Sequence, residues 1–123
     1  MIKEYDVVLS TTTIQYLSGN IDDITVKPIM LFFHGFPECS WAWEKYLLEM
    51  SAEYCVIAPD LPGYRLSKGF QSSDEYKIEN LITVMAEFIA RILKQSLQSK
   101  VHLIAHDWGG AIAWPLAAFH ESL

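Results

Sequence analysis

This 123-residue sequence has the pattern of a mostly parallel α/β sheet flanked by helices and opened by an antiparallel strand pair. Three observations carry that expectation. Short apolar runs without alternation, "IMLFF", "YCVIAP" and "KVHLIA", have the composition of parallel strands covered on both faces. Stretches with helical periodicity separate them. Two turns rich in chemically active residues, "HGFPE" and "HDWGG", follow the first and third of these strands, at the carboxyl ends where open α/β sheets place their ligands.

Taken in order, "EYDVVLS" and "TTIQYLSG" are rich in β-branched and aromatic residues and meet at a short polar junction, which reads as the antiparallel pair. "NIDDITVKP" is a polar connection. Ile29 to Phe33 form the first buried strand, and "SWAWEKYLLEMSAE" then predicts a helix with Trp43, Tyr46, Leu47 and Met50 on one side. After "YCVIAP", the segment "DLPGYRLSKGFQSSDEY" reads as a surface connection from its Gly, Pro and polar content. Ile78, Leu81, Ile82, Met85, Phe88, Ile89, Ile92 and Leu93 recur at i, i+3 and i+4 intervals, giving a long amphipathic helix, with Ser72 and Glu75 spaced as a capping box near its start. "KVHLIA" is read as the third buried strand and "WGGAIAWPLAAFHESL" as the last helix, in which Pro115 predicts a kink or a locally broken hydrogen bond.

With 51% hydrophobic residues the chain can bury a core of its own. A net charge of −6 argues against a nucleic-acid partner, because Lys and Arg supply most of the affinity for phosphate backbones. No apolar run is long enough to span a bilayer, and "MIKEYDVVLS" lacks the apolar core of a secretory leader, so no membrane partner and a cytoplasmic location are expected. Cys39 and Cys55 lack metal-ligand spacing and are expected to be reduced. No metal or other cofactor site is expected.

In "AHDWGG", Ala105 and Gly109 stand two positions either side of Asp107, the small-x-nucleophile-x-small form of a nucleophile elbow. Such a turn holds its central residue in strained backbone, so bulky neighbours at plus and minus two would collide. Asp107 has two readings from the residues alone. It is an ordinary helix N-cap, or it is a nucleophile that the positive helix end assists. "HGFPE" supplies the second turn that an elbow needs for its oxyanion hole.

With "LFFHGFPECSWAW" and "LIAHDWGGAIAW" in this order, the chain resembles the N-terminal half of an α/β-hydrolase of the epoxide hydrolase and haloalkane dehalogenase group. The resemblance covers essentially the whole sequence. It implies that Asp107 attacks saturated carbon to form an ester, with the backbone N–H groups of Phe36 and Trp108 stabilising the oxyanion when water hydrolyses it. His34, Gly35, Pro37 (through a cis bond), Ala105, His106, Gly109 and Gly110 are then structural parts of the two turns. A carboxylate nucleophile is ionised at neutral pH and needs no base for the first step. Phe36 stands where haloalkane dehalogenases often carry a halide-binding asparagine, and fluoroacetate dehalogenases usually carry arginine where Trp108 sits. An epoxide is therefore the implied small-molecule substrate, with a halogenated one as the alternative.

Other residues take ordinary roles. His34 is expected to form local hydrogen bonds, His102 to sit in the core, and His106 to point away from the nucleophile. Trp41, Trp43 and Trp114 are read as packing residues and Glu38 as a solvated turn carboxylate. Pro62 and Arg65 depart from the family pattern, which commonly has arginine and glycine there.

Members of the family continue past the matched part with further strands, a helical cap, an acid and a base histidine. Residues 1–123 are accordingly expected to be the N-terminal part of a core domain, with cap and C-terminal core absent. His120, thirteen residues beyond Asp107, would lie about 20 Å away along a helix and is no substitute base. Loss of a general base costs about 10²- to 10⁴-fold, so turnover by this chain alone is expected to be strongly impaired. An open edge at "KVHLIA" predicts self-association or pairing with a complementing C-terminal half. A non-catalytic remnant is the alternative from outside enzymology.

Overall fold

A computed structural model describes residues 1–65, 67, 69 and 76–119, the side chain of Phe119 excepted. Ser72, Glu75 and His120 lie outside the described residues, so the capping box and the exclusion of His120 remain sequence readings. Strands β1 (Lys3–Val8), β2 (Thr13–Ser18), β3 (Ile29–Phe33), β4 (Cys55–Pro59) and β5 (His102–Ala105) form one sheet in the order β1-β2-β4-β3-β5. β1 and β2 are antiparallel and β2 joins β4 antiparallel, whereas β3 pairs in parallel with both β4 and β5. The predicted class holds: a mixed sheet, parallel where the apolar runs pair.

Alternation along the strands divides the core between the two faces. Ile29, Leu31 and Phe33 of β3, with Cys55 and Ile57 of β4, point to the face covered by helices α2 (Ile78–Lys94) and α3 (Trp108–Phe119). Phe32, Val56, Ala58 and Leu17 point to the other, where Leu47 of the short helix α1 (Glu44–Glu49) closes over them. On α2 the predicted stripe is buried at Leu81, Met85, Phe88, Ile89 and Ile92, and Val84 joins it. Lys77 occupies its N-cap without a side-chain cap bond. Asn20, not singled out by pattern, donates to the carbonyls of Ser51 and Tyr54 at 2.9 and 2.7 Å and accepts the Val56 N–H at 3.1 Å, fastening the approach to β3 onto the start of β4.

Several expectations are corrected. The predicted helix over Ser40 to Glu53 is one α-helical segment, Glu44–Glu49, between 3₁₀ turns at Ser40–Trp43 and Met50–Ala52; Leu47 is its buried residue, and Tyr46 is 48% exposed. β5 forms the open edge expected at "KVHLIA", but its residues are exposed or half-buried rather than buried. His102 at its start is exposed and meets the Tyr54 ring edge-on at 5.6 Å, because β5 has a partner on one side alone in this sheet. Trp114 is 80% exposed and Trp41 38%, so neither is core; Trp43 does pack, 5.1 Å from the Phe32 ring. α3 continues through Pro115, which has no N–H to give to the helix, in keeping with the locally broken hydrogen bond expected there. The connection after β4 is not surface at its beginning: Asp60, Leu61 and Ser67 are buried. "NIDDITVKP" contains a 3₁₀ turn at Ile21–Asp23. Among the described residues no helix is long and apolar enough to cross a membrane.

Two features of this sheet create the site. The register pairs Phe33 with Ala105, so the segments beginning at His34 and His106 leave the sheet side by side. β3 leads through α1, on one face, to β4; β5 leads into α3, on the opposite face. The carboxyl ends of β3 and β5 therefore bound a crevice of the kind in which open α/β sheets bind ligands.

Phe88 is fully buried in the larger core and Leu97 is 83% exposed. Phe88→Ala is expected to lower unfolding free energy by about 3–5 kcal/mol, and Leu97→Ala by less than about 0.5 kcal/mol. Urea denaturation of the two variants checks this, and equal losses would contradict the assigned core.

Candidate active site

β5 ends at the half-buried Ala105, and α3 begins at Trp108. Between them Asp107 has φ 56°, in the left-handed region. An ordinary N-cap has extended backbone and accepts an N–H from the second or third helical residue. Here those donors are engaged elsewhere: Gly109 N–H bonds the His106 carbonyl at 3.0 Å and Gly110 N–H the Asp107 carbonyl at 2.9 Å. The Asp107 side chain instead reaches across to the other turn, where its Oδ2 accepts the Phe36 N–H at 3.0 Å. The geometry disfavours the simple cap.

Small residues make the approach feasible. A Cβ on Gly35 would lie 2.6 Å from the Asp107 Cβ. One on Gly109 would lie 2.6 Å from the backbone carbonyl oxygens of both Phe33 and His34, where α3 crosses the end of β3. Gly110 has nothing within 4 Å and is therefore dispensable on packing grounds. The Phe36–Pro37 peptide is cis, as expected, and Glu38 N–H closes the turn onto the Gly35 carbonyl at 2.9 Å.

The backbone N–H groups of Phe36 and then Trp108 hold the Asp107 carboxyl below the usual carboxylate range, with a smaller contribution from His106. Hydrogen bonds donated to the charged form favour it over the neutral acid. Asp107 is thus a solvent-accessible carboxylate, ionised at neutral pH, with two backbone donors aimed at it.

His34 is fully buried and links both sides of the cleft. Its Nδ1 lies 2.9 Å from the Gly35 carbonyl, its Nε2 accepts the Leu61 N–H at 3.0 Å, and its ring meets Tyr64 edge-on at 4.8 Å. These contacts fix the neutral tautomer, with the proton on Nδ1. His106 turns its ring toward Glu38, 3.3 Å away, and is 66% exposed. Glu38 is exposed, as expected of a turn carboxylate, and lies beside the His106 ring.

The two turns and the segment after β4 enclose an open cleft of about 670 Å³. Phe36 and Trp108 form one rim beside Asp107, and Leu61, Tyr64 and Tyr76 form the facing wall. Apolar and aromatic walls around one carboxylate suit an apolar electrophile. No pattern in the sequence singles out Tyr64 or Tyr76; Tyr64 follows a strand end on the ligand side of the sheet, the one signal that could have marked it. Among the described residues no cluster of three or more His, Cys, Asp or Glu side chains is arranged to hold a metal ion.

The chain has relatives among known proteins. A family profile described as alpha/beta hydrolase fold matches residues 28–123. Epoxide hydrolase 4 from Homo sapiens is 44% identical over 97 residues, covering 79% of this chain and 26% of that protein. Epoxide hydrolase 1 from Caenorhabditis elegans is 35% identical over 109 residues, covering 89% of this chain and 25% of its own length. The solved structure of potato (Solanum tuberosum) epoxide hydrolase I superposes with a TM-score of 0.86 at 27% identity, covering 99% of this chain and 37% of that one. The chain thus spans about a quarter of the length of these two curated relatives.

Gly109→Ala is expected to lower the melting temperature, because the new Cβ meets backbone that cannot rotate away. Gly110→Ala is expected to be neutral or to stabilise by up to about 1 kcal/mol, as an alanine replaces glycine inside a helix. Thermal unfolding decides, and a Gly109→Ala melt equal to wild type would contradict the close crossing. Burial holds the His34 ring pKa below its ordinary value of 6.5. The unfolded chain then binds the proton first as pH falls, so the contribution of His34 to stability is complete above about 6.5 and declines below it. A proton NMR titration of His34 with a midpoint at or above 6.5 would contradict this.

Proposed function

The chain belongs to the α/β-hydrolase fold family, and on that premise we propose that it is the nucleophile-bearing part of an epoxide hydrolase in which Asp107 opens an epoxide through an alkyl ester. The observation that carries this reading is the Asp107 carboxylate at positive φ, accepting the Phe36 N–H across the two turns at 3.0 Å. With Oδ2 engaged there, Oδ1 is the oxygen available to attack. One epoxide carbon gains the Asp107 oxygen and loses the ring oxygen, which leaves as an alkoxide and takes a proton from an acid. Water then adds to the ester carbonyl, the oxyanion is stabilised by the Phe36 and Trp108 N–H groups, and collapse releases the diol and restores the carboxylate. Water is the only co-reactant.

His34, Gly35, Pro37, Ala105, His106 and Gly109 act in this reading as the scaffold of the two turns, whereas Gly110, assigned there from the motif, has no neighbour that requires a glycine. Among the described residues no histidine has Asp107 as a hydrogen-bond partner: His34 is committed to Gly35 and Leu61, and His106 faces Glu38. The general base and the proton donor to the alkoxide are therefore assigned outside the described residues, in keeping with the share of the relatives that this chain spans. Residues 1–123 are on this view the N-terminal part of a core domain acting in the cytoplasm. The open edge of β5 is where a complementing C-terminal half, or a second copy, would pair.

The test is intact-protein mass after incubation with a reactive aromatic epoxide, beside Asp107→Ala, with diol measured in the same tube. The expected result is a stable adduct of one epoxide on the wild type, none on the variant, and negligible diol, because the missing base costs about 10²- to 10⁴-fold. No adduct would overturn the nucleophile assignment. Halide release from a haloalkane would favour the dehalogenase alternative.

A further inference from the structure

Arg65 has φ 45°, in the left-handed region that glycine favours, yet it carries a long charged side chain directed back onto the protein. Its guanidinium forks to three places: Nε to Asp60 Oδ2 at 2.9 Å, Nη1 to Glu4 Oε1 at 2.9 Å, and Nη2 to Gln15 Oε1 at 3.2 Å. Glu4 and Gln15 belong to β1 and β2. Asp60 is fully buried, and its other oxygen accepts the Ser40 N–H at 2.8 Å. A buried carboxylate deprived of its cation is strongly unfavourable, so Asp60 and Arg65 require each other.

The residues between these two partners are Leu61, Pro62, Gly63 and Tyr64, all of which line the cleft together with Asp107. The Asp60–Arg65 bond therefore closes a six-residue arc end to end and bolts it to the N-terminal strand pair. From inside, the arc is held by His34 through the Leu61 N–H and the Tyr64 ring. Lysine could offer a charge but not this fork, since its ammonium is a single point donor.

We propose that Arg65 is a positioning residue for the cleft: acting through Asp60, it holds the Leu61–Tyr64 wall at its distance from Asp107 and couples that wall to β1 and β2. This rests on the proposed function only for the part of the test that reads alkylation.

Arg65→Gly is the informative variant, because glycine suits the backbone and only the fork is lost. Amide hydrogen exchange at Leu61, Gly63 and Tyr64 is expected to accelerate about tenfold or more, and alkylation of Asp107 to slow by a similar factor, on loss of the charge-assisted bonds. Added millimolar guanidinium is expected to reverse both changes in Arg65→Gly and to leave the wild type unaltered. Arg65→Lys should recover only part. Wild-type exchange in Arg65→Gly would overturn the proposal. So would faster exchange that is spread over the whole chain and insensitive to guanidinium, which marks a general loss of stability. Should the wild type form no adduct, the proposed function fails and the exchange measurements alone decide the role of Arg65.

Discussion

Between the end of β5 and the start of α3 the chain turns at Asp107 with φ 56°, and the rest of the site is arranged around that constraint. An L-residue in this region is disfavoured by the contact of its Cβ with its own backbone, so the surroundings must compensate. They do so by being small. Gly109 lets α3 cross the end of β3 at a distance no side chain would permit, and Gly35 lets the neighbouring turn meet the Asp107 Cβ. The closeness of the turns then brings the Phe36 N–H within 3.0 Å of the carboxylate. Strain, small residues and backbone donors are three aspects of one packing problem.

Sheet topology supplies the other half. Neither turn is a site alone: a glycine-containing turn after a strand is common, and an aspartate ahead of a helix is commoner. Pairing of Phe33 with Ala105 places them side by side, and the opposite-face departures of α1 and α3 leave a crevice between them. His34 is buried under this junction, with one ring nitrogen at the Gly35 carbonyl and the other accepting the Leu61 N–H, so the first residue after β3 ties the two sides of the cleft together.

The facing wall is held mainly by charge. Asp60 is buried and surrounded by donors from three directions: the Ser40 N–H, the Arg65 guanidinium and, through its own carbonyl, the Ser67 hydroxyl. Such a network rigidifies a loop when every member is satisfied and is costly when one is missing. This explains why a segment with the Gly, Pro and polar composition of a surface loop is buried at its start.

Local chemistry in the sequence is sufficient to place most of this protein. The apolar runs mark the strands because a strand buried on both faces has no polar side to show, and the i, i+3, i+4 pattern marks α2. Asp107, Phe36 and Trp108 are legible because the elbow requires small residues at fixed offsets and a second turn after another strand. Apolar composition overstates the burial of "KVHLIA", His102 and Trp114, since it says that a segment can be covered and not what covers it; β5 lies at the edge of this sheet. The break of the first predicted helix into α and 3₁₀ segments is likewise invisible to periodicity, which is nearly the same for both over a few residues. The Arg65 fork, the His34 bridge and the Glu38–His106 pair exist only in the folded chain. Each joins residues far apart in the sequence or aims a side chain from an irregular turn, and no period or spacing encodes such a meeting. Residue chemistry and spacing establish which groups can react; the sheet, by bringing two strand ends together, selects those that meet.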